Sequence, residues 1–323
     1  MKKKLMKSTA RVLGTVAAVI FAAWFVVAQP SCRGNHASGV ATDPAKLREH
    51  VETLSQRLCP RDWQHRDNLD KCADYIAEHF VQAGATVEFQ TLTAGGKRYR
   101  NVIGRFNAGK RSRLVVGAHY DACGEVPGAD DNASGIAALI ELAYLLGRNA
   151  PTNAVDLVAY VLEEPPFFRT ECMGSAVHAK SIAGEKASVR GVIVLEMVGC
   201  FKDEWGSQAY PTLLLRLMYP SRANFIAVAS RWDQGDWIKR VKAGMKGTTD
   251  LPVYSIRAPS AIPGIDFSDH LNYWPYGFKA LMITDTAFYR NKAYHSSGDT
   301  PERLDYSRLG KVVVAVFETI RGI

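Results

Sequence analysis

The apolar positions change their period along this chain. Leu47, Val51, Leu54 and Leu58 recur at helical spacing behind Asp43-Pro44, a helix-start signal of capping carboxylate and first-turn proline. The same spacing predicts a second helix over 69–83, stopped by Gly84. Beyond it the pattern alternates between strand-like runs at 86–92, 101–106, 114–118, 155–162, 192–198 and 280–284 and helix-like stretches at 132–146, 173–182, 232–246 and 268–276. Leu114-Val115-Val116 and Val192-Ile193-Val194-Leu195 are continuously apolar rather than alternating, as in strands covered on both faces. The expected architecture is an α/β domain, a mixed and mostly parallel central sheet flanked by helices on both faces.

The first 44 residues read differently. Lys2, Lys3, Lys4, Lys7 and Arg11 precede an uncharged, mostly apolar stretch over 12–28, and residues 31–44 form a polar linker. Seventeen residues lie between a secretory core of about 7–15 and a spanning helix of about 17–25. Residues 1–30 are therefore expected to be a signal peptide, cut before Gln29, or a retained anchor that contacts a membrane. Either way the body, 45–323, is expected outside the cytoplasm, periplasmic or extracellular. The whole chain carries +8, but five of its cations fall in the acid-free first 28 residues. The body is left near neutrality, and no basic footprint for nucleic acid remains. Export permits disulfides. Of the cysteines, Cys59 and Cys72 flank a polar stretch between two helix-like segments and form the expected pair, with small buried thiols as the alternative.

In a parallel sheet, ligands gather beyond the carboxyl ends of the strands. Here those ends carry His119-Tyr120-Asp121, Glu163-Glu164 and Glu196, with Ala129-Asp130-Asp131 before a helix and Tyr294-His295-Ser296 after the last strand. Two imidazoles and several carboxylates emerging from apolar strands cannot be buried unpaired. Metal ions explain them economically, the N/O donor set suits zinc, and a two-metal site needs one bridging carboxylate. Asp131 is placed for that bridge, because the small residues of Asn132-Ala133-Ser134-Gly135 let a helix terminus approach closely. Asp121, two residues from His119 on one strand face, is expected to orient its imidazole. Of Glu163 and Glu164, one can ligate while the other takes a proton from water.

These five motifs, with Leu195-Glu196-Met197-Val198-Gly199 and Ser296-Ser297-Gly298-Asp299-Thr300 completing two of them, resemble the dinuclear-zinc aminopeptidase family M28. The resemblance spans nearly all of 45–323 and implies the zinc-exopeptidase fold and two zinc ions per chain. It assigns His119 and Glu196 to one zinc, Glu164 and His295 to the other, and Asp131 to both. Glu163 becomes the general acid/base that works with a zinc-activated water on the N-terminal bond of peptide substrates, and Asp121 the support of His119. Met197 and Tyr294, beside two ligands, are expected near the substrate's first side chain. One departure stands out: family aminopeptidases commonly carry Asp where this chain has Glu196, as related carboxypeptidases do not.

Competing readings are a glutaminyl-cyclase-like acyltransferase with a single zinc and an inactive relative serving as a binding ectodomain. The first is opposed by the second donor set, the second by the presence of a competent residue at every ligand position. Neither a Gly-x-Ser-x-Gly elbow, a His-Glu-x-x-His helix nor a phosphate-binding Gly-x-x-x-x-Gly-Lys loop occurs. Cys123 and Cys172 fall in loops beside the cleft and read as inert thiols or a rim disulfide. His270 reads as structural, and His36, His50, His65, His79 and His178 as surface residues.

Overall fold

The computed structural model describes residues 11, 14, 15, 18, 19, 21–31 and 37–323. Asp43 caps the first helix, α1 (Pro44–Glu52), by accepting from the Ala45 amide, as its sequence signal predicts. α2 (Arg66–Gln82) follows, and then the hairpin β1 (Thr86–Ala94) and β2 (Lys97–Phe106). Ala94 pairs with Lys97, so Gly95 and Gly96 alone make the turn; both have positive φ, which glycine adopts without steric cost. β3 (Arg113–His119), α3 (Gly135–Arg148), β4 (Ala154–Tyr160), α4 (Gly174–Ser181) and β5 (Val189–Glu196) build the centre. The remainder is α5 (Leu213–Met218), β6 (Ile226–Arg231), α6 (Gly235–Met245), β7 (Val253–Ala258), β8 (Ala280–Thr284) and α7 (Tyr306–Gly322).

The eight strands form one sheet in the order β1-β2-β4-β3-β5-β8-β6-β7. The block β4-β3-β5-β8 is parallel, as is β6 with β7, while β1–β2, β2–β4 and β6–β8 are antiparallel. One apolar layer joins Leu114, Val116, Leu157 and Ile193 to α1, α2, α3, α6 and α7; the other joins Val115, Val158, Val192 and Val194 to α4 and the 3-10 turn Asp269–Tyr276. Alternate residues of one strand thus enter opposite layers, which explains their unbroken hydrophobicity. Gly117 is required by this packing: a Cβ there would lie 2.2 Å from the Tyr160 ring.

Several expectations need correction. β6, β7 and α7 were not anticipated. The runs at 155–162 and 192–198 stop as strands at Tyr160 and Glu196, where Leu162 (φ 62°) and Met197 (φ 48°) turn the chain. Cys59, Cys72, Cys123, Cys172 and Cys200 are all free. Cys72 faces the core from α2, whereas the half-exposed Cys59 thiol meets the Val126 carbonyl at 3.6 Å, so the expected bridge is not made. His50 and His178 are buried, not on the surface: Tyr75 and Glu141 contact one, and the Tyr273 hydroxyl the other at 2.7 Å.

The expectations resting on Lys2, Lys3, Lys4, Lys7 and Cys32, on His36, and on much of the 12–28 stretch, lie outside the described residues. Among the described residues no helix is long and apolar enough to cross a membrane. Residues 21–28 are helical, and their end is fastened to the domain. Lys242 Nζ donates to the carbonyls of Ala28 and Gln29 at 2.8 and 2.9 Å, and Arg257 Nε to that of Val26 at 2.8 Å.

Candidate metal centre and active-site cleft

Because β4, β3, β5 and β8 run parallel, their carboxyl ends share one edge, and the candidate residues converge there. His119 is the last residue of β3, Glu196 the last of β5, and Glu163-Glu164 lie just past the Leu162 turn that ends β4. Asp131 lies in the π-helical turn Ala129–Ser134 before α3, and His295 in the loop beyond β8. His119 Nε2 stands 3.4 Å from Asp131 Oδ1 and 3.4 Å from Glu196 Oε2. His295 Nε2 stands 3.2 Å from Asp131 Oδ2 and 3.2 Å from Glu164 Oε2. The two oxygens of Asp131 therefore face different imidazoles, each with its own glutamate. Glu163 leans to the His119 side, its Oε2 3.8 Å from that imidazole.

The surroundings hold these groups in place. Asp121 accepts the Glu163 amide on Oδ1 (3.2 Å) and the Glu164 amide on Oδ2 (3.1 Å), fixing the turn that aims both glutamates. Toward His119 it offers mainly its own carbonyl, 3.2 Å from Nδ1, with the carboxylate at 3.5 Å. The expected His119–Asp121 support is thus shared between backbone and side chain. Ser268 Oγ donates to Glu196 Oε2 at 2.7 Å. Asp299 Oδ2 accepts the amides of Asp130 and Asp131, both at 3.1 Å, and Asn291 ties Asp299 Oδ1 to Asp130 Oδ2. Asp130 Oδ1 accepts the Gly199 amide, so it braces the loop rather than facing the imidazoles. Met197 and His295 (φ 54°) hold left-handed conformations that cost non-glycine residues of order 1–3 kcal/mol each, and this strain is concentrated at the site.

His119, Asp131, Glu163, Glu164 and Glu196 are all more than nine-tenths buried. Burial drives the Glu163 carboxyl well above its usual range against the pull of His119, and burial with the charge of Asp131 pushes Glu164 up to about 7. Burial opposes charge on His295, yet Asp131, Cys123 and Glu164 outweigh it and raise that imidazole to about 12. The cage is overloaded with negative charge. His119 Nε2, His295 Nε2 and Glu164 Oε1 are buried with no hydrogen-bond partner of acceptable geometry. Orphaned nitrogens and oxygens aimed at one another are a donor set for cations, and the N/O mixture fits zinc. The donors of His119, Asp131 and Glu196 lie within 4.8 Å of one another, as do those of Cys123, Glu164 and His295.

Next to this cage opens an apolar cavity of roughly 860 Å³, solvent at its mouth included. Glu196 and Tyr294 stand on its lining, with Phe267, Phe288, Ala229 and Met282 around it. Tyr294 stacks on the His295 ring at 3.7 Å. Met197, in contrast, is fully buried and outside that lining; its amide donates to Asn132 Oδ1, which pins the turn after Asp131. Sequence reasoning missed Ser268, Asn291 and Asp269, read Cys123 as inert or part of a rim disulfide, and met Asp299 only as part of a motif. Asp269 is buried with both oxygens unpartnered; burial, against the pull of His119, raises it to about 7. Ser268-Asp269-His270 suggests only a helix cap, and nothing in its composition marks it as a neighbour of Glu196.

A mixed α/β sheet carrying paired imidazole–carboxylate donor sets at its carboxyl edge defines a metallo-exopeptidase type of protein. The sequence model of Peptidase family M28 matches residues 101–320, and the chain belongs to that family. It is 45% identical over 306 residues to the uncharacterized protein YfbL of Escherichia coli, covering 92% of each chain. It is 28% identical over 206 residues to Leupeptin-inactivating enzyme 1 of Streptomyces exfoliatus, 59% of this chain and 46% of that one, so less than half of that enzyme is spanned. Its fold is similar to that of a Bacteroides thetaiotaomicron glutaminyl cyclase (TM-score 0.68, 20% identity, 88% and 99% of the chains covered). It is also similar to a Zn-dependent exopeptidase from Parabacteroides distasonis (TM-score 0.64, 19% identity, 88% and 99%).

Proposed function

We propose that the chain is a dizinc aminopeptidase that releases large apolar residues from the N-termini of peptides. The observation that carries this reading is Asp131, with one oxygen toward His119 and Glu196 and the other toward His295 and Glu164. Zinc held by these five residues would supply Lewis acidity toward a scissile carbonyl and toward a water. Glu163 takes the proton of the attacking water and returns it to the leaving amine. Its neighbours suit it to proton transfer, since Asp121 holds its backbone and burial raises its proton affinity. The side chain of the first residue enters the apolar cavity past Tyr294, whose ring also keeps the His295 imidazole in plane. Glu163→Gln is expected to keep its zinc while hydrolysing leucine anilide at least about 100-fold more slowly. Near-normal turnover in that variant removes Glu163 from the role.

A second reading, a glutaminyl-cyclase-like acyltransferase with one zinc, is favoured by a single feature: Ser268 already engages Glu196 at 2.7 Å. Zinc analysis separates the two, since one ion per chain with cyclisation of N-terminal glutamine supports the cyclase.

We also propose that the chain is exported and stays at a membrane through its N-terminal segment. Ala28 and Gln29 are buried, and their carbonyls accept from Lys242. Trp24 and Ala28 share a cleft with Met218 and Tyr219, beside the exposed Leu213, Leu214 and Leu217 of α5, which would meet the same bilayer. N-terminal sequencing of the membrane fraction tests this; a mature chain that begins at Gln29 overturns it.

A further inference from the structure

Cys123 lies four residues beyond His119, half-buried and free. Its sulfur and the donor atoms of Glu164 and His295 lie within 4.8 Å of one another. Glu164 is 4% exposed, and its Oε1 has no partner, so a buried oxygen in this cluster is left without a ligand. Unlike the Cys59 thiol, which meets the Val126 carbonyl, the Cys123 sulfur faces the side chains of Glu164 and His295. We propose that Cys123 is a protein ligand of the metal held by Glu164, His295 and Asp131, a thiolate donor in an otherwise N/O centre. The inference rests on the metal reading above and deepens it.

The chemistry is a coordinate bond from sulfur to the ion, with the thiol proton released to solvent; nothing is oxidised. Its consequence is asymmetry. With Cys123 this side reaches four protein donors (Cys123, Glu164, His295 and Asp131), a closed shell of the structural type. The His119 side keeps three (His119, Glu196 and Asp131), which leaves a position for water, and Glu163 leans to that side. Sulfur also makes the closed side softer, which favours zinc over harder cations such as manganese. One ion then holds the cleft together while the other faces the chemistry.

Cobalt(II) loaded into the full chain tests this without reference to activity. Sulfur-to-cobalt charge transfer in the near ultraviolet is expected in the unaltered protein, lost in Cys123→Ser and kept in Cys172→Ser. Alkylation followed by mass spectrometry gives a second readout on the unaltered chain: zinc should protect Cys123 from iodoacetamide while Cys59 reacts equally with and without it. Cobalt bound with no such band, or a band kept in Cys123→Ser, overturns the thiolate ligand and leaves the metal centre standing. A chain that binds no cobalt at all overturns both.

Discussion

Asp131→Asn should abolish binding of both ions, whereas Glu164→Gln and Glu196→Gln should each remove one. The expectation follows from geometry: each oxygen of Asp131 lies within 3.4 Å of a different imidazole, while Glu196 and Glu164 each come that close to only one. The magnitude can be worked as linkage. An ion bound only by the folded chain stabilises it by about 2.7 kcal/mol at a hundred times its dissociation constant. At about 2.1 cal/mol/K per residue, a body the size of 45–323 shifts its melting temperature by about 1.7 °C per kcal/mol. Zinc should therefore raise the melting temperature of the unaltered protein by roughly 9 °C, and those of the two glutamate variants by about half as much. The increment on adding zinc is the quantity to compare, since Asp131 also pairs with both imidazoles in the metal-free protein and its loss shifts that baseline. Differential scanning fluorimetry with and without zinc, beside zinc content by mass spectrometry, gives both numbers. A bridging role for Asp131 is refuted if Asp131→Asn keeps the full increment, or if it loses only as much as Glu164→Gln.

Two further outcomes are expected. Burial, reinforced by Arg105 and Arg113, lowers the His178 pKa to about 3 from 6.5. The unfolded chain therefore takes up a proton below pH 6.5 that the folded chain refuses. Stability from this residue is complete above pH 6.5 and is lost as the pH falls toward 3, by about 2 kcal/mol at pH 5. In urea titrations the stability gap between the unaltered protein and His178→Gln should narrow by about that amount between pH 8 and pH 5; a constant gap sinks the idea. Ala229→Phe, which fills the apolar cavity from β6, should cut kcat/KM for leucine and phenylalanine anilides by about tenfold or more, with a smaller effect on alanine anilide. Equal losses on all three would show that the cavity does not receive the first side chain.

The central strands were legible because both of their faces are covered, which writes an unbroken apolar run into the sequence. α7 was not, although Leu309, Val312, Val313, Val316, Phe317 and Ile320 follow a helical period and are buried on it. The β-branched run Val312-Val313-Val314 blurs that period, and only packing against α1, α3 and α6 settles it as helix. β6 and β7 escaped for a related reason. They lie in the stretch 201–265, and β7 is only half-buried on alternate residues. His50 and His178 show the limit for single residues: each is soluble in the core only because a tyrosine hydroxyl from another element reaches it, a pairing that no local window contains.

The candidate ligands at the strand ends, His119 and Glu196, stood out for the opposite reason, since a polar or charged residue that closes a buried strand conflicts with its own neighbourhood. Their supports carry no such conflict. Ser268, Asn291 and Asp299 are ordinary loop residues until the fold brings them to Glu196, Asp130 and Asp131. Cys123 read as inert because its partners lie 41 and 172 residues away, at Glu164 and His295. Distance in sequence hides the supports, and local conflict reveals the candidate ligands. The same conflict has an energetic side: Asp131, Glu163, Glu164 and Glu196 are buried against only two imidazoles, and each would be destabilising alone. Cations that offset this charge would stabilise the fold and equip the cleft together, so metal affinity and folding stability should rise and fall as one property of these residues.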